Sequence, residues 1–206
     1  MTDLLRELPL VAILRGVTPA RIEGVAAALF DAGIRAIEVP LNSPEPFKSI
    51  EILAKVYGER CLTGAGTVLE AADVDRVVDA GGRLLVTPNT NPAVIARGVE
   101  KKMVVMPGFY TPSEAFAAIA AGARTLKLFP AATAGVAHLK ALLAVLPKDV
   151  PVYAVGGVGA GNMKEWRWAG AAGFGMGADL FKPDFSDAEI AVRARQCVAA
   201  FRDAGK

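Results

Sequence analysis

Cysteine and histidine are scarce in this chain, which limits the kinds of site that it can carry. Its 206 residues include two cysteines, Cys61 and Cys197, and one histidine, His138. The cysteines lie far apart and neither has a cysteine or histidine at ligand spacing, which argues against a disulfide framework and against a zinc site. Acid–base chemistry must therefore rest mainly on carboxylates and lysine.

Long apolar runs are also missing. Hydrophobic residues make up 53% of the chain, and its mean hydropathy is +0.37. Even so, charge, glycine or proline interrupts every run before it reaches the roughly 18 residues of a membrane helix. The amino-terminal segment has no long apolar stretch and no Ala-x-Ala cleavage site, so we expect a cytoplasmic protein that does not bind a membrane.

Positively and negatively charged residues are nearly balanced in number. The net charge is +2, only 21% of the residues are charged, and the charges are scattered along the chain. No basic stripe predicts nucleic-acid binding, although a few local basic groups would suit a substrate phosphate. A chain of this length can bury a full-sized core, and we expect a single α/β domain over residues 1–206.

A strand followed by a helix is the pattern that repeats along the chain. Residues 10–14 are a short apolar run typical of a strand buried on both faces, and apolar residues at helical spacing follow over 20–32. Further strands are predicted at 36–39, 61–65, 84–86, 103–106, 125–130, 152–155 and 172–176. Later helices are predicted at 112–121, 135–146, 160–169 and 186–202.

The repeat amounts to roughly eight strand–helix units of about 20–27 residues with no linker between them. This arithmetic predicts an α/β fold, a compact single (β/α)8 TIM barrel in which each strand is parallel to the last. A doubly wound open sheet is the alternative, because short apolar strands alone do not prove that a sheet closes.

The polar residues that stand out lie in or just after the predicted strands, near the ends at which barrel enzymes keep their chemistry. In chain order they are Arg15, Glu38, Thr67, Pro88, Lys127, Gly156, Gly157 and the run 175–178. Since the other strand residues are mainly Val, Ile, Leu and Ala, we expect Glu38 and Lys127 to face each other across the barrel interior.

Lys127 is a lone charge in an apolar run. Because burial of an unpaired ammonium is costly, such an amine tends to lose its proton and can then attack a carbonyl to begin a Schiff base. Glu38 would carry protons to and from the adduct. Two structural interpretations compete: a lysine that reaches water from an edge strand, and a buried Glu38–Lys127 ion pair.

Two glycine-rich turns follow the last two predicted strands. Gly156, Gly157 and Gly159 lie in the first turn, and Gly175 and Gly177 in the second. Barrels often bind phosphate at this pair of loops, because glycine lets backbone N–H groups approach an anion. Tight turns alone would also explain these glycines.

Arg15 and Thr67 have two interpretations each. Arg15 is either a rim arginine or a group that lowers the pKa of a nearby lysine and holds an anionic substrate. Thr67 either caps the next helix or hydrogen-bonds a carboxylate at the barrel mouth. Residues 42–44 are expected to cap the helix after the second strand, and we expect His138 to be peripheral.

Five ordered segments of the chain resemble the class I 2-keto-3-deoxy-6-phospho-sugar-acid aldolases. They are 38–44 (EVPLNSP), 64–69 (GAGTVL), 86–89 (VTPN), 126–130 (LKLFP) and 154–158 (AVGGV). The resemblance extends from Leu8 to Phe185, which is nearly the whole chain.

The resemblance implies retro-aldol cleavage of a phosphorylated keto-deoxy sugar acid to pyruvate and D-glyceraldehyde 3-phosphate, through an imine on Lys127 with proton transfer by Glu38. It also implies that no metal or organic cofactor is needed and that the chain forms a homotrimer. The residues that would surround the substrate are Arg15, Thr67, Gly157, Gly177 and Ala178.

Three positions refine the resemblance. Asn42 and Val155 resemble the 6-phosphogalactonate branch, because enzymes of the 6-phosphogluconate branch usually carry arginine and threonine there. The two substrates differ in configuration at C4, so a methyl group in place of a hydroxyl at Val155 changes which epimer is well held. Ala178 stands where the family usually has a phosphate-binding serine, and we expect a weaker grip on phosphate.

Other functions stay open at this point. The nearest is the same chemistry on 2-dehydro-3-deoxy-6-phosphogluconate or 4-hydroxy-2-oxoglutarate. A phosphate-binding barrel isomerase or synthase would use Glu38 as a base beside Lys127 and would form no covalent adduct. A barrel that binds phosphosugars without turnover is the third alternative.

Overall fold

Strands and helices alternate throughout residues 2–205, which the computed structural model describes, with side chains described from residue 4 onward. The strands correspond to the predicted apolar runs, which is expected for parallel strands buried on both faces. They are β1 (Leu10–Ile13), β2 (Ala36–Pro40), β3 (Leu62–Gly66), β4 (Leu84–Val86), β5 (Val104–Met106), β6 (Gly108–Phe109), β7 (Leu126–Leu128), β8 (Val152–Val155) and β9 (Gly173–Met176).

The helices lie between these strands, and a short 3₁₀ helix, Gly58–Arg60, precedes β3. They are α1 (Thr2–Glu7), α2 (Ile22–Asp31), α3 (Pro46–Tyr57), α4 (Ala71–Asp79), α5 (Pro92–Glu100), α6 (Pro112–Ala120), α7 (Ala131–Val145), α8 (Met163–Trp168) and α9 (Asp187–Asp203). Among the helices of the described residues, none has both the length and the apolar character needed to cross a membrane.

The strands form one parallel sheet that is nearly closed into a barrel. Its spatial order is β5-β4-β3-β2-β1-β9-β8-β7-β6, so that each strand lies beside its neighbours in the chain. A doubly wound sheet would reverse its strand order at a switch point, and no reversal occurs here. The predicted TIM barrel is confirmed and the open-sheet alternative is wrong.

The fifth predicted strand is divided in two. β5 pairs with β4, β6 pairs with β7, and only Pro107 separates the two segments. Proline has no N–H to donate to a ladder, which explains the interruption. Because β5 and β6 are continuous in the chain, the two edges of the sheet lie together. The fifth predicted strand thus forms two of the nine observed strands, and the other seven predicted strands form one each.

Two layers of apolar side chains fill the molecule. In β1, Val11 and Ile13 belong to a cluster inside the barrel, whereas Leu10 and Ala12 belong to the larger cluster between the strands and the helices. This alternation is the period of two that a strand imposes. Each fully buried aliphatic side chain contributes roughly 1.5–3 kcal/mol to folding.

Helix α1 was not predicted from the sequence. Its Leu5 is buried in the same cluster as Leu62 and Leu84, the inward-facing first residues of β3 and β4. Helix α1 therefore packs against the amino-terminal end of the barrel. A helix of six residues is too short for apolar periodicity to reveal it.

Helix α7 begins earlier than predicted. The structure places its first residue at Ala131 instead of Gly135, but Gly135 has φ 75° and ψ 161° and interrupts the helix after its first turn. The predicted start therefore marks the beginning of the regular part of α7. Positive φ at this point suits glycine, which has no Cβ to clash with the backbone.

Candidate active site

Lys127 and Glu38 line the same pocket inside the barrel. Ala36 faces inward from β2, so Glu38, two residues further along the strand, does so as well. Lys127 is paired in register with the inward-facing Tyr153 of β8, which puts it on the same face. The other residues that line the pocket are Val11, Ile13, Val86, Met106, Tyr153, Val155 and Gly175.

Both charged groups are almost completely buried, with 6% of Lys127 and 2% of Glu38 exposed. Strand β7 lies between β6 and β8, so Lys127 is not on an edge strand and does not reach out to water. Within residues 4–205 no ion pair joins Lys127 to Glu38, and Oε2 of Glu38 has no hydrogen-bond partner. The interpretation of Lys127 as a lysine that reaches water is therefore wrong, and Glu38 and Lys127 interact electrostatically without a direct ion-pair contact.

The Lys127 ammonium has an aromatic neighbour. Its Nζ lies 4.7 Å from the ring centroid of Phe129, two residues further along the chain. A ring face attracts a cation but accepts no strong hydrogen bond, so it leaves the amine available. Sequence analysis placed Phe129 in the apolar run around Lys127 and assigned it no separate role.

Burial shifts both groups toward their neutral forms. It raises the pKa of Glu38 well above the usual carboxylate range, against the opposing effects of the Lys127 ammonium and the Arg15 guanidinium. Burial lowers the pKa of Lys127; the Glu38 carboxylate opposes this shift and Arg15 adds to it. An amine that loses its proton more readily than an ordinary lysine and a carboxyl group that exchanges protons near neutral pH are thus brought together.

Gly66 determines where the Glu38 carboxylate can lie. It is the last residue of β3, and Pro40 and Gly66 are paired in register two residues beyond Glu38 and Gly64. A Cβ added at Gly66 would overlap Oε2, Cδ and Oε1 of Glu38. Glycine inside a strand often marks such a close approach, but sequence analysis did not assign Gly66 this role.

Arg15, Asn42 and Thr67 form a hydrogen-bonded group at the barrel mouth. One guanidinium nitrogen of Arg15 donates to Asn42 Oδ1, and the other donates to Thr67 Oγ1 at 3.3 Å. Thr67 has φ 56°, in the left-handed region that a β-branched residue rarely adopts. Strain of this kind is concentrated at functional sites.

The helix-capping predictions for these loops are wrong. Helix α3 has Glu45 at its N-cap and α4 has Glu70, and neither helix has a side-chain cap. Ser43 Oγ instead accepts a hydrogen bond from the Gly16 N–H at 2.9 Å. Residues 42–44 therefore fasten the loop that carries Arg15, a tertiary role that a local sequence pattern does not reveal.

The two glycine-rich loops form an open cleft of about 410 Å³ between them. Gly157 has φ 76° and a Cβ there would meet Ala132, so glycine is required at this position. The lining residues are Gly157, Val158, Gly159, Gly161, Asn162, Ala178, Asp179 and Lys182. Gly177 precedes Ala178 and has open space where a Cβ would lie. Lys182 was not singled out from the sequence.

Val155 lies in the interior pocket with Lys127 and Glu38, and 6% of it is exposed. Its side chain packs over Gly175, where a Cβ would meet the two methyl groups of Val155. The residue expected to influence stereoselectivity therefore lines the same pocket as Lys127 and Glu38.

His138 lies away from the interior pocket. Its ring stacks on Tyr110 with centroids 5.0 Å apart, and its Nε2 lies 2.7 Å from the Tyr110 carbonyl oxygen. Cys61 and Cys197 are both buried and free. Among residues 4–205, no three His, Cys, Asp or Glu side chains are grouped closely enough to hold a metal ion.

A parallel barrel with a buried lysine of lowered pKa and a carboxylate in the same interior pocket is the arrangement of a class I aldolase. A family model described as "Aldolase: KDPG and KHG aldolase" matches residues 1–193. The chain belongs to this family of aldehyde lyases.

Curated relatives and a solved structure are similar over nearly the whole chain. The "Probable 2-dehydro-3-deoxy-6-phosphogalactonate aldolase" of Rhizobium meliloti (strain 1021) is 50% identical over 195 residues, 95% of this chain and 92% of the relative. The "2-dehydro-3-deoxy-6-phosphogalactonate aldolase" of Escherichia coli (strain K12) is 46% identical over 198 residues, 96% and 97% of the two chains. A structure described as "Native KDPGal structure" has a TM-score of 0.95 at 46% identity, with 97% of each chain covered.

Proposed function

We propose that this chain cleaves 2-dehydro-3-deoxy-6-phosphogalactonate reversibly to pyruvate and D-glyceraldehyde 3-phosphate, through an imine on Lys127. The observation that carries the proposal is the placement of Lys127. It is buried, lacks an ion pair with Glu38, and shares the interior pocket with that carboxylate. The relatives that bear this substrate's name are 46% and 50% identical to the chain.

The reaction begins when the neutral amine of Lys127 attacks the C2 carbonyl of the substrate. The resulting carbinolamine loses water to give a protonated imine, which withdraws electrons from C3. Glu38, directly or through water, then removes the proton of the C4 hydroxyl, and the C3–C4 bond breaks. The electron pair of that bond forms an enamine of pyruvate on Lys127, and D-glyceraldehyde 3-phosphate leaves.

Release of pyruvate completes the cycle. The carboxyl group of Glu38 returns its proton to C3 of the enamine, which regenerates the imine. Water then hydrolyses the imine to pyruvate and the free amine. Since Glu38 accepts a proton in one step and donates it in another, its pKa must lie near the operating pH, and burial moves it in that direction.

The remaining site residues are assigned to binding. Arg15 and Thr67, joined by a hydrogen bond at the mouth, suit the substrate carboxylate. The backbone at Gly157, Gly177 and Ala178 suits the phosphate. Val155 presents an apolar surface in the pocket and disfavours the epimer that needs a hydrogen-bond partner at C4.

Steady-state kinetics on two epimers tests this proposal. Pyruvate release is followed with 2-dehydro-3-deoxy-6-phosphogalactonate and with 2-dehydro-3-deoxy-6-phosphogluconate at matched concentrations. We expect a higher kcat/KM for the galactonate compound. A clearly higher kcat/KM for the gluconate epimer, or for 4-hydroxy-2-oxoglutarate, would transfer the assignment to that substrate, and release of no pyruvate from any of them would favour the isomerase or the non-catalytic alternative.

A homotrimer and a cytoplasmic location also belong to the proposal. Trp168 is 72% exposed, and an aromatic side chain on the surface supports contact with another subunit. Light scattering on the purified protein tests the trimer directly.

A further inference from the structure

The cleft between the glycine-rich loops contains backbone donors that are not used within the protein. Among the described residues 2–205, the N–H groups of Gly157, Val158 and Ala178 donate to no protein acceptor. Neighbouring donors are already engaged, because the Gly159 N–H is bound by Asn162 Oδ1 at 3.0 Å and the Ala160 N–H by Asp179 Oδ2 at 3.3 Å. Unused N–H groups that line one cleft favour an anion.

A short helical turn follows β9 and forms the second wall of the cleft. The N–H groups of Leu180 and Phe181 both donate to the Gly177 carbonyl oxygen at 2.9 Å. Ala178 lines the cleft at the start of this turn, and its side chain provides no hydroxyl group. Lys182 comes immediately after the turn and lines the same cleft as Ala178.

Lys182 is the one cationic side chain among the described residues that line this cleft, and Asp179 is the one anionic side chain. Asp179 is engaged with the Ala160 N–H. Lys182 is exposed, and within residues 4–205 its ammonium has no ion pair; its aromatic neighbour is Phe185, whose ring centroid lies 5.4 Å away. An unpaired ammonium beside unused N–H donors is suited to a dianion.

We propose that Lys182 supplies the cation that binds the substrate's phosphate group, together with the backbone donors of Gly157, Val158 and Ala178. This inference rests on the aldolase function proposed above and adds a specificity residue to it. Lys182 has no contact with the interior pocket that contains Lys127. It should therefore influence binding of the phosphorylated aldehyde without influencing imine chemistry.

The test uses the condensation direction, with pyruvate and either D-glyceraldehyde 3-phosphate or unphosphorylated D-glyceraldehyde as acceptor. The variants are Lys182→Ala, Lys182→Arg and, as a charge-matched control, Lys140→Ala on the exposed face of α7. We expect Lys182→Ala to lower kcat/KM for the phosphorylated aldehyde roughly tenfold, mainly through KM, and to leave kcat/KM for the unphosphorylated one unchanged. Lys182→Arg should retain most of the preference, and Lys140→Ala all of it.

The outcomes separate the inference from the function on which it rests. If the wild-type protein prefers the phosphorylated aldehyde and Lys182→Ala keeps that preference, Lys182 does not bind the phosphate and only the inference fails. An equal loss on both aldehydes would indicate a structural role and would also overturn it. If the wild-type protein condenses neither aldehyde with pyruvate, the proposed function itself fails, and the inference with it.

Discussion

The carboxylate of Glu38 occupies the space that a side chain at position 66 would need. Gly66 ends β3 beside the strand that carries Glu38, and a Cβ built there would overlap both carboxylate oxygens. The absent side chain therefore allows the carboxylate to lie in the pocket with Lys127. Glu38 has little other support, because its Oε2 accepts no hydrogen bond from the described residues.

Gly66→Ala should lower the activity of the protein and leave its stability nearly unchanged. The atoms that the new methyl group meets are the far end of a flexible side chain, so Glu38 can rotate away at little cost to the fold. A displaced proton carrier should lower kcat about 10²-fold. Exchange of the pyruvate methyl protons with deuterated solvent should fall with kcat, whereas reductive trapping of pyruvate on Lys127 should persist.

A loss of trapping in proportion to kcat would contradict this prediction for Gly66→Ala, since it would mean that the substitution damages the pocket as a whole. A thermal unfolding curve for the variant provides the control for folding.

The charged neighbours of Lys127 should shift its titration in opposite directions. Arg15 lowers the pKa of Lys127 and Glu38 raises it. Because imine formation needs the neutral amine, its rate rises with pH through the pKa of Lys127, below the ordinary lysine value. Arg15→Gln should move this rise to higher pH, and Glu38→Gln should move it to lower pH.

The measurement for this pair of variants is the pH dependence of cyanoborohydride trapping at saturating pyruvate. The comparison uses the pH at which the trapping rate rises. The absolute rate is not compared, because loss of Glu38 also removes a group that transfers protons. Shifts of both variants in the same direction would show that the Coulombic effects of Arg15 and Glu38 are not the cause.

Glu38→Gln should also stabilise the protein at neutral and alkaline pH. Burial raises the pKa of Glu38 in the folded state above its value in the unfolded state. The protonated carboxyl group therefore contributes fully to the free energy of unfolding only below the unfolded-state pKa, and this contribution is lost as the pH rises through the folded-state pKa. A neutral amide avoids that loss and should gain about 1–3 kcal/mol in the free energy of unfolding. Urea unfolding of both proteins at pH 5 and pH 8 checks this, and the gain should be larger at pH 8.

Val155→Thr should change the choice between epimers. The threonine hydroxyl would lie in the interior pocket, where Val155 has only methyl groups. We expect the ratio of kcat/KM for the gluconate epimer to that for the galactonate epimer to rise roughly tenfold, since one pocket group contributes discrimination of this order. An unchanged ratio would remove Val155 from the account of stereoselectivity, and Val192→Thr on the exposed surface of α9 is the matched control.

Much of the fold could be predicted because parallel strands buried on both faces appear as short apolar runs. The first predicted strand, 10–14, differs from β1 by one residue. The division at Pro107 was not predicted, although the missing N–H of proline was a visible signal. Helix α1 has too few residues for periodicity and is held by tertiary packing of Leu5.

The convergence of Lys127 and Glu38 could be predicted because each is a lone charge in an apolar strand of a barrel. The contacts that support them could not. Ser43 and Thr67 follow local patterns of helix caps, but their oxygens bond to a different loop. Gly66 matters through the space that it leaves, which depends on a neighbouring strand and not on its own sequence context.

The most direct test of the central claim is to reduce the protein with borohydride in the presence of pyruvate, and then to determine the intact mass and map the modified peptide. We expect a single pyruvate-derived adduct on Lys127, and none in Lys127→Met at the same pH. No adduct on a protein shown to be folded, or an adduct on a different lysine, would contradict the imine mechanism and the function proposed for the chain.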